Sequence, residues 1–350
     1  MDANIALIDT GSPARGLHPC LCTDRIQETG GVVTLVFKRA DGRAFDFLAG
    51  QFVTIRFSWG GQTYSRVFTI ASPPTRADRI ALTIKAAVDG RATRILHDHF
   101  GEGSAVEISE AAGDFTLEGR AVEKALFLCA GSGITPLMSM VRDLHDNGED
   151  LDVAFIQCAR TPDDILFGHE LRMLSESMPK LRVETVCSQA SGSPDPRVIG
   201  RLDMAQLARL VPDATARTVF LCGPAGFMQT MRRHMVELGV PAGRIFEEAF
   251  GAAPSTAKRM SPTAKATVAF ERSGVRCEAG DNATILDLAE AEGVYIDTSC
   301  RMGVCGTCKV KLLEGEVDLN DMGGLSDMER QDGFILACCS TPRGDIAIDL

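Results

Sequence analysis

The sequence predicts a multidomain protein: an antiparallel β-barrel domain, then an α/β domain with a parallel sheet, then a small third domain. Three observations support this order. Short runs of β-branched and aromatic residues fill the first hundred residues after residue 20, and apolar strands alternate with helical segments from Lys124. A stretch rich in Pro, Ser, Ala and Lys at 251–265 then precedes a region with three closely spaced cysteines. A chain of 350 residues is long enough for two or three domains.

The barrel domain is expected over residues 20–120, after a loose lead-in at 1–19 that contains several Gly and Pro residues. Gly, Pro and Asp turns separate its strands, as is typical of antiparallel barrels. One helix, R-A-T-R-I-L-H-D-H-F, interrupts them at 91–100. The expected strands are at 32–38, 52–57, 65–71, 80–85 and 105–109.

The α/β domain is expected over residues 121–250. Strand and helix alternate there, which indicates a parallel sheet covered by helices. A-L-F-L-C-A at 125–130 reads as a buried strand, because it is apolar without alternation. Further strands are expected at 152–159, 182–188 and 218–222, with helices after Pro136, near 168–177 and at 225–238.

Composition and charge narrow the classes of function. The N-terminus has no basic region followed by an apolar core, and no apolar run is long enough to span a membrane, so we expect a cytoplasmic protein with reduced thiols. Residues 266–350 hold 16 Asp and Glu against 7 Lys and Arg, whereas the other 265 residues hold 31 against 29. An acidic domain would repel nucleic acid and offers a docking surface to a basic patch on a partner protein.

The cysteines of the third domain, expected over 266–350, have the spacing of a metal site. Cys300, Cys305 and Cys308 form C-x4-C-x2-C, and Cys338 or Cys339 follows about 30 residues later. This is the plant-type spacing for a 2Fe–2S cluster held by four thiolates. Gly303 and Gly306 permit a tight curl that turns N–H groups toward the sulfurs. A structural zinc site is the alternative, although zinc cysteines usually come as two close pairs.

Two stretches of the barrel domain carry residues suited to a phosphorylated ring compound. Arg66 and Phe68 alternate on one strand and therefore project from one face, a guanidinium for phosphate beside an aromatic ring. G-R-A-T at 90–93 opens a helix, whose N-terminal N–H groups attract phosphate. An ordinary strand surface and an ordinary helix start are the alternatives.

Two strand-to-helix turns of the α/β domain resemble nucleotide-binding turns. G-S-G-I-T-P at 131–136 departs from G-x-G-x-x-G because Pro136 replaces the third glycine, at a position where proline is tolerated. C-G-P-A-G at 222–226 follows another strand of the same sheet. Two such turns at the carboxyl edge of a parallel sheet form the crevice in which ligands bind.

Taken in order, these motifs resemble the ferredoxin–NADP reductase superfamily, in the branch with a fused C-terminal plant-type ferredoxin domain. R-x-[YF]-[ST]-x-x-S is matched by Arg66, Phe68, Thr69 and Ser72, and the similarity covers about residues 20–350. It implies a β-grasp-like α+β fold for the third domain, FAD in the barrel and NADH or NADPH in the α/β domain. The implied cofactor-binding residues are Arg66, Val67, Phe68, Thr69, Ser72, Lys85, Gly90, Arg91, Ala92, Thr93, Gly131, Ser132, Gly133, Ile134, Thr135, Pro136, Cys222, Gly223 and Pro224.

The resemblance also implies roles in the reaction. Thr69, Cys222 and Phe250 are the implied catalytic residues, and Cys300, Cys305, Cys308 and Cys338 the implied cluster ligands. Phe68 stands where tyrosine is commoner in the family, so a hydroxyl is lost and the stacking face is kept. The G-R-A-T turn and the S-P-P sequence at 72–74 favour FAD over FMN. Asp163 and Asp164 follow Arg160 and would repel the 2′-phosphate of NADPH, so NADH is favoured.

The implied activity is an NAD(P)H-dependent reductase that passes electrons singly through a flavin and a 2Fe–2S cluster to a partner protein. The resemblance points first to a Rieske-type oxygenase that docks at the acidic ferredoxin domain. A hybrid-cluster protein and a di-iron monooxygenase are alternative acceptors. A zinc-stapled binding module without redox activity is the alternative from another class. We expect neither nucleic acid nor membrane as a partner.

Overall fold

The computed structural model describes residues 16–87, 91–189, 200–249, 266–280, 283–296, 303, 306, 308–320, 325 and 327–350. The chain divides into two compact units, residues 1–250 and 251–350. The first unit contains a six-stranded antiparallel sheet and a five-stranded parallel sheet, and the second contains a five-stranded mixed sheet. These architectures confirm the predicted fold class.

The antiparallel sheet is a barrel-like structure with the strand order β4-β3-β6-β1-β2-β5. A bridge between Ile70 and Leu82 brings the chain just after β4 next to β5, so the two edges of the sheet approach each other. Alternate side chains enclose one apolar core that includes Phe37, Ile55 and Leu82. The elements are β1 (Leu17–Thr29), β2 (Val32–Arg39), β3 (Phe52–Trp59), β4 (Gln62–Thr69), β5 (Ile80–Lys85), α1 (Arg91–His99) and β6 (Ala105–Ser109).

The first strand begins earlier than expected. Leu17–Pro19 pair with Ser109–Glu107 of β6, so these residues belong to the sheet and not to the predicted lead-in at 1–19. Cys20 and Cys22 alternate inward from β1 and are almost completely buried in the core. The sequence does not indicate a strand here, because Gly and Pro residues lie near its start and its inward side chains are thiols.

The parallel sheet has the strand order β11-β10-β7-β8-β9. Successive residues of β7 enter different cores, Phe127 and Cys129 on one face and Leu126 and Leu128 on the other, which explains the unbroken apolar run. The elements are β7 (Lys124–Ala130), α2 (Thr135–Asp146), β8 (Asp152–Ala159), α3 (Gly168–Ser177), β9 (Leu181–Cys187), α4 (Met204–Leu210), β10 (Thr218–Gly223), α5 (Ala225–Glu237) and β11 (Ile245–Ala249).

The second unit has its own core and a mixed sheet of order β13-β12-β18-β14-β16 beside a two-stranded sheet, β15-β17. Thr284 caps α6 by accepting a hydrogen bond from the Asp287 N–H, and the Asp287 carboxylate binds back to Thr284. The elements are β12 (Ala266–Phe270), β13 (Val275–Ala279), α6 (Ile285–Ala291), β14 (Lys309–Glu314), β15 (Val317–Leu319), α7 (Asp327–Gln331), β16 (Phe334–Leu336), β17 (Ser340–Pro342) and β18 (Ile346–Ile348).

In the part of the chain that the structure describes, no helix is long and apolar enough to cross a membrane.

Candidate functional site

Strand β4 presents a continuous half-buried surface. Every residue from Tyr64 to Phe68 is half-buried, although Tyr64, Val67 and Phe68 are apolar, while Thr69 at the end of the strand is buried. The guanidinium of Arg66 donates to the carbonyl of Ser65 at 2.7 Å. A strand of this kind, with partly uncovered aromatic side chains and one cation, suits a flat ring system that carries a phosphate.

Thr69 connects this strand to the α/β domain. Its hydroxyl donates to an oxygen of the Glu248 carboxyl group at 2.9 Å, and Glu248 pairs with Cys222 across β11 and β10. Protein atoms surround this carboxyl closely although the residue keeps some exposed surface, and burial raises the pKa of Glu248 to about 8. Cys222 is fully buried, and burial raises the pKa of its thiol. Thr69, Cys222 and Glu248 therefore form a cluster that is largely uncharged at neutral pH.

Glu248 is the residue that sequence reasoning missed. It lies two positions before Phe250, which was named, and beside Glu247, which is exposed and paired with Arg232. Period-2 alternation along the E-E-A segment would have placed one of the two glutamates inward. Phe250 itself lies outside the described residues.

The start of α1 faces the same hairpin. The Arg91 guanidinium lies 5.9 Å from the centre of the Tyr64 ring, and the Thr93 hydroxyl accepts a hydrogen bond from the Ala87 N–H at 3.2 Å. Ala92 is fully buried beneath them. A helix N-terminus next to half-buried aromatic and cationic side chains is chemically suited to a pyrophosphate. Gly90 lies outside the described residues.

The two glycine turns of the α/β domain touch each other. A Cβ atom on Gly133 would lie 2.5 Å from the carbonyl of Cys222 and 2.6 Å from the nitrogen of Gly223, so only glycine permits this approach. The turn continues through the buried Ile134 into α2, where the Thr135 hydroxyl donates to the Ser132 carbonyl at 3.1 Å and Pro136 occupies the first turn. Both turns therefore end at one sheet edge, as the motifs predict.

A cavity of about 790 Å³ opens at this edge. Its lining includes five of the predicted binding residues or their close neighbours: Lys85, Gly131, Ser132, Pro224 and Gly226. Arg160, Asp164 and Arg201 line it as well, and Arg201 was not anticipated from the sequence. The volume is within the usual range for small-molecule and cofactor sites, so the cleft can hold a dinucleotide.

Ser72 has a structural role that the motif does not reveal. Its hydroxyl accepts the N–H of Ala81 on β5 at 3.0 Å, and its carbonyl accepts a hydrogen bond from the Ser139 hydroxyl at 2.7 Å. The hydroxyl can still donate one hydrogen bond.

In the second unit, Cys308 and Cys338 are buried in one core and their side chains interact. The Gly303 backbone also interacts with the Cys338 sulfur, and Gly303 and Gly306 have φ of 75° and 69°. These contacts fit a cluster whose sulfurs accept backbone hydrogen bonds. Cys339 also interacts with Cys338, and its thiol donates to the Leu336 carbonyl at 3.7 Å. Cys300 and Cys305 lie outside the described residues.

Three family models match the chain in the order of its domains. They are an oxidoreductase FAD-binding domain over residues 22–117, an oxidoreductase NAD-binding domain over 127–233 and a 2Fe–2S iron–sulfur cluster binding domain over 268–343. The glycine betaine monooxygenase reductase subunit of Chromohalobacter salexigens is 34% identical, with 98% of each chain covered. The chain belongs to the ferredoxin–NADP reductase superfamily, in the branch with a fused 2Fe–2S domain.

Two further proteins are similar to this reductase over most of its length. The stachydrine N-demethylase reductase subunit Stc4 of Rhizobium meliloti is 34% identical, with 95% of this chain and 96% of the relative covered. A solved structure of phthalate dioxygenase reductase, a modular structure for electron transfer from pyridine nucleotides to [2Fe–2S], has a TM-score of 0.61 at 26% identity. It covers 96% of this chain and 98% of that one.

The reductase therefore combines an FAD-binding domain, a nicotinamide-nucleotide-binding domain and a 2Fe–2S domain. It is an oxidoreductase that transfers electrons from NAD(P)H through the flavin to the cluster. This confirms the activity and the cofactors that the motifs predict.

Proposed function

We propose that this reductase delivers electrons to a Rieske-type oxygenase, which docks at the acidic 2Fe–2S domain. One observation carries the proposal: almost the whole chain is similar to reductase subunits of a glycine betaine monooxygenase and a stachydrine N-demethylase. The excess of acidic residues in 266–350 supports docking through a basic patch on the oxygenase. We further propose that the protein works in the cytoplasm, where its thiols stay reduced.

The flavin is assigned to β4 and the start of α1. Arg66 and the α1 N-terminus would bind its phosphates, while Val67, Phe68 and Thr69 would lie along its ring. Bound FAD accepts a hydride from NAD(P)H and releases electrons one at a time, which suits the one-electron capacity of a 2Fe–2S cluster. The half-buried surface of β4 supports this assignment because a bound ring would cover its aromatic side chains.

The coenzyme is assigned to the cleft between the two glycine turns. Backbone N–H groups of Gly131–Ile134 and the α2 N-terminus would bind its pyrophosphate, and Lys85 adds a cation beside Gly131, with its Nζ 4.0 Å from the position that a Cβ atom of Gly131 would take. Gly223 and Pro224 would leave room for the nicotinamide above the buried Cys222. We propose NADH as the coenzyme, because the Asp164 carboxylate in the cleft lining disfavours the 2′-phosphate of NADPH.

Thr69 and Glu248 would control a proton next to the flavin. With a pKa of about 8, the Glu248 carboxyl holds its proton at neutral pH. The Thr69 hydroxyl donates to this carboxyl, so the oxygen of Thr69 keeps its lone pairs free to accept another hydrogen bond. This pair excludes a fixed negative charge from the site that receives the hydride.

The test uses the purified holoprotein, NADH and three candidate acceptors: a Rieske-type oxygenase component of a quaternary-amine demethylase, a di-iron hydroxylase and a hybrid-cluster protein. We expect rapid anaerobic bleaching of the Rieske absorbance and slow or no reduction of the other two. High salt should slow the reaction, because docking depends on opposite charges. Faster reduction of the hybrid-cluster protein or the di-iron protein would overturn the proposed partner. If the purified protein shows neither flavin nor iron–sulfur absorbance, the result would instead support the alternative of a zinc-stapled binding module without redox activity.

A further inference from the structure

Helix α2 donates two hydrogen bonds to consecutive backbone carbonyls at the end of residues 66–72, the proposed flavin-binding segment. The hydroxyl of Ser139, which is fully buried, donates to the carbonyl of Ser72 at 2.7 Å. The guanidinium of Arg142 donates to the carbonyl of Ala71 at 2.6 Å. Ser139 and Arg142 are three residues apart and therefore lie on one face of the helix. The α/β domain thus holds the barrel at the two residues that end the flavin motif.

The same guanidinium also holds the start of helix α3. Its Nε and Nη2 atoms donate to the two carboxylate oxygens of Glu170 at 2.7 and 2.5 Å. The guanidinium lies 4.8 Å from the centre of the Phe167 ring. Phe167 has φ of 54°, which is a costly conformation for a bulky residue and persists only where its surroundings hold it. Arg142 provides that support from one side.

The segment that ends at Phe167 forms a wall of the coenzyme cleft. Asp164 and Leu166 line the cleft, and the buried Gln157 donates to the Leu166 carbonyl at 2.9 Å. A continuous set of contacts therefore runs from the cleft wall through Phe167 and Glu170 to Arg142, and from Arg142 to Ala71. The Arg142 guanidinium is central to this set, because it makes the hydrogen bonds to Glu170 and Ala71 as well as the contact with the Phe167 ring.

An open crevice surrounds these contacts. Ser72, Arg142, Phe167 and Glu170 line a cavity of about 820 Å³ between the barrel and the α/β domain. The hydrogen bonds to Ala71 and Ser72 limit widening of the crevice beside the flavin-binding segment, and the ion pair between Arg76 and Asp146 spans the same crevice further along α2. Loss of a donor would let the flavin-binding segment move relative to the cleft.

We propose that Arg142 and Ser139 are positioning residues, which fix the spacing between the flavin-binding segment and the coenzyme cleft. Arg142 additionally couples the cleft wall to that segment through Glu170 and Phe167. The inference rests on the proposed assignment of residues 66–72 to FAD and of the cleft to NAD(P)H. Coupling of this kind is reciprocal, so coenzyme and flavin should each tighten the binding of the other through Arg142.

Arg76 supplies a matched control. It makes a bidentate ion pair with Asp146 at the end of α2, at 2.8 and 2.6 Å, and so also joins the barrel side to the α/β domain. It is more exposed than Arg142, and its guanidinium donates to a side chain rather than to a carbonyl of the flavin-binding segment. Arg76→Met therefore removes an ion pair of the same type without touching Ala71 or Ser72.

The experiment measures FAD affinity by reconstituting the apoprotein with FAD in the presence and absence of NAD⁺. In the wild type we expect NAD⁺ to tighten FAD binding and to perturb the flavin absorbance band. Ser139→Ala should weaken FAD binding about fivefold, as expected for one hydrogen bond. Arg142→Met should weaken it at least as much and abolish the effect of NAD⁺. Arg76→Met should behave like the wild type.

Stopped-flow reduction by NADH gives a second readout. The limiting rate of flavin reduction should fall about tenfold in Arg142→Met, while the NADH concentration at half saturation changes less, because misplacement acts on the transfer step. Arg142→Lys, which keeps the charge, should recover part of the rate. If Arg142→Met fails to fold, the FAD affinity of Ser139→Ala relative to Arg76→Met decides the outcome, because Ser139→Ala removes only one hydroxyl.

The possible failures are distinguishable. If the wild type binds FAD, and Ser139→Ala and Arg142→Met bind it as tightly as Arg76→Met does, this inference is overturned and the proposed function stands. A wild-type chain that binds no FAD would overturn the proposed function and this inference together.

Discussion

At the residue scale, the clearest departure from an ordinary environment is the Glu248 carboxyl. Its pKa of about 8 means that the folded chain keeps this proton at pH values where the unfolded chain has lost it. The carboxyl's contribution to the free energy of unfolding is therefore greatest below about pH 4.5 and is lost as pH rises toward about 8. The group destabilises the fold at high pH because its surroundings disfavour the charge.

Glu248→Gln removes this titration while it keeps an acceptor for the Thr69 hydroxyl. We expect the variant to gain stability relative to the wild type as pH rises from 5 to 8, by a few kcal/mol at most, since each pKa unit corresponds to about 1.4 kcal/mol. Thermal unfolding at pH 5, 6, 7 and 8 measures this difference. Glu247→Gln is the control, because Glu247 is exposed. A difference that does not change with pH would contradict the assignment.

We expect coenzyme preference to depend on single side chains in the lining of the cleft. Asp164 lines the cleft with Arg160 and Arg201, and its carboxylate accepts from the hydroxyl and the N–H of Thr161 at 2.9 and 3.2 Å. Asp164→Asn keeps an acceptor for Thr161 and removes the charge. We expect the ratio of kcat/KM for NADPH to that for NADH to rise about fivefold, because repulsion of the 2′-phosphate is lost.

Steady-state kinetics with both coenzymes measures this ratio, and Asp163→Asn is the matched control. Asp163 and Asp164 lie in the same turn. Of these two residues, Asp164 is the one that lines the cleft in the described part of the chain. An equal rise in both variants would indicate a general charge effect, and no rise in Asp164→Asn would contradict the prediction.

At the scale of elements, the strands and helices with strong periodicity could be predicted from sequence. The segments 80–85, 105–109, 152–159 and 168–177 were predicted with the bounds that the structure has. Helix α4 was missed, although Asp203 and Gln206 form a capping box that signals its start. Strand β11 was not among the predicted strands, because Glu247 and Glu248 obscure its apolar pattern.

A buried cation lies at the start of three parallel strands, and no sequence motif predicts it. The Arg217 side chain is 1% exposed and donates to the carboxylates of Asp213 and Asp152, at 2.8 to 2.9 Å. It also donates to the carbonyl of Ala125 at 3.0 Å. This arginine precedes β10 and joins it to the starts of β7 and β8, so it aligns three strands of the sheet.

Arg217→Met should destabilise the first unit by about 1 to 3 kcal/mol, because the Ala125 carbonyl loses a buried donor, whereas Asp213 and Asp152 are partly exposed and keep Lys124 as a partner. The urea midpoint followed by circular dichroism measures the loss. Arg233→Met is the control: Arg233 is exposed on α5 and pairs loosely with Glu237 at 3.9 Å, so its loss should cost less than about 1 kcal/mol. Equal midpoints for the two variants would show that Arg217 does not hold the strands.

At the scale of the whole molecule, the sequence predicts the modules better than the contacts between them. Each module contains a local sequence motif that identifies it, such as the glycine turns or the cysteine spacing. The contact between Thr69 and Glu248 joins residues 179 positions apart, and Ser139 and Arg142 reach backbone carbonyls, which carry no sequence signal. Such contacts depend on how two domains pack, so single-sequence reasoning cannot supply them. The proposed boundaries at 120, 250 and 265 remain predictions.

The order of electron transfer through the molecule can be tested at the last module. Cys338 is buried and interacts with Cys308, Cys339 and the Gly303 backbone, whereas Cys339 is only partly buried and its thiol also donates to the Leu336 carbonyl. We therefore expect Cys338→Ser to lose iron–sulfur absorbance and Cys339→Ser to keep it. Because NAD(P)H reduces the flavin before the cluster, Cys338→Ser should still reduce ferricyanide, which can take electrons directly from a flavin.

Electron delivery to the oxygenase should fall more than tenfold in Cys338→Ser, since the flavin would no longer have a cluster through which to pass single electrons. Anaerobic reduction of the oxygenase measures this, and Cys339→Ser provides the matched control at the neighbouring position. Loss of the cluster in Cys339→Ser alone would reverse the assignment of the fourth ligand. Unimpaired delivery from a cluster-free Cys338→Ser variant would mean that the flavin reduces the partner directly, and the acidic domain would then serve only for docking.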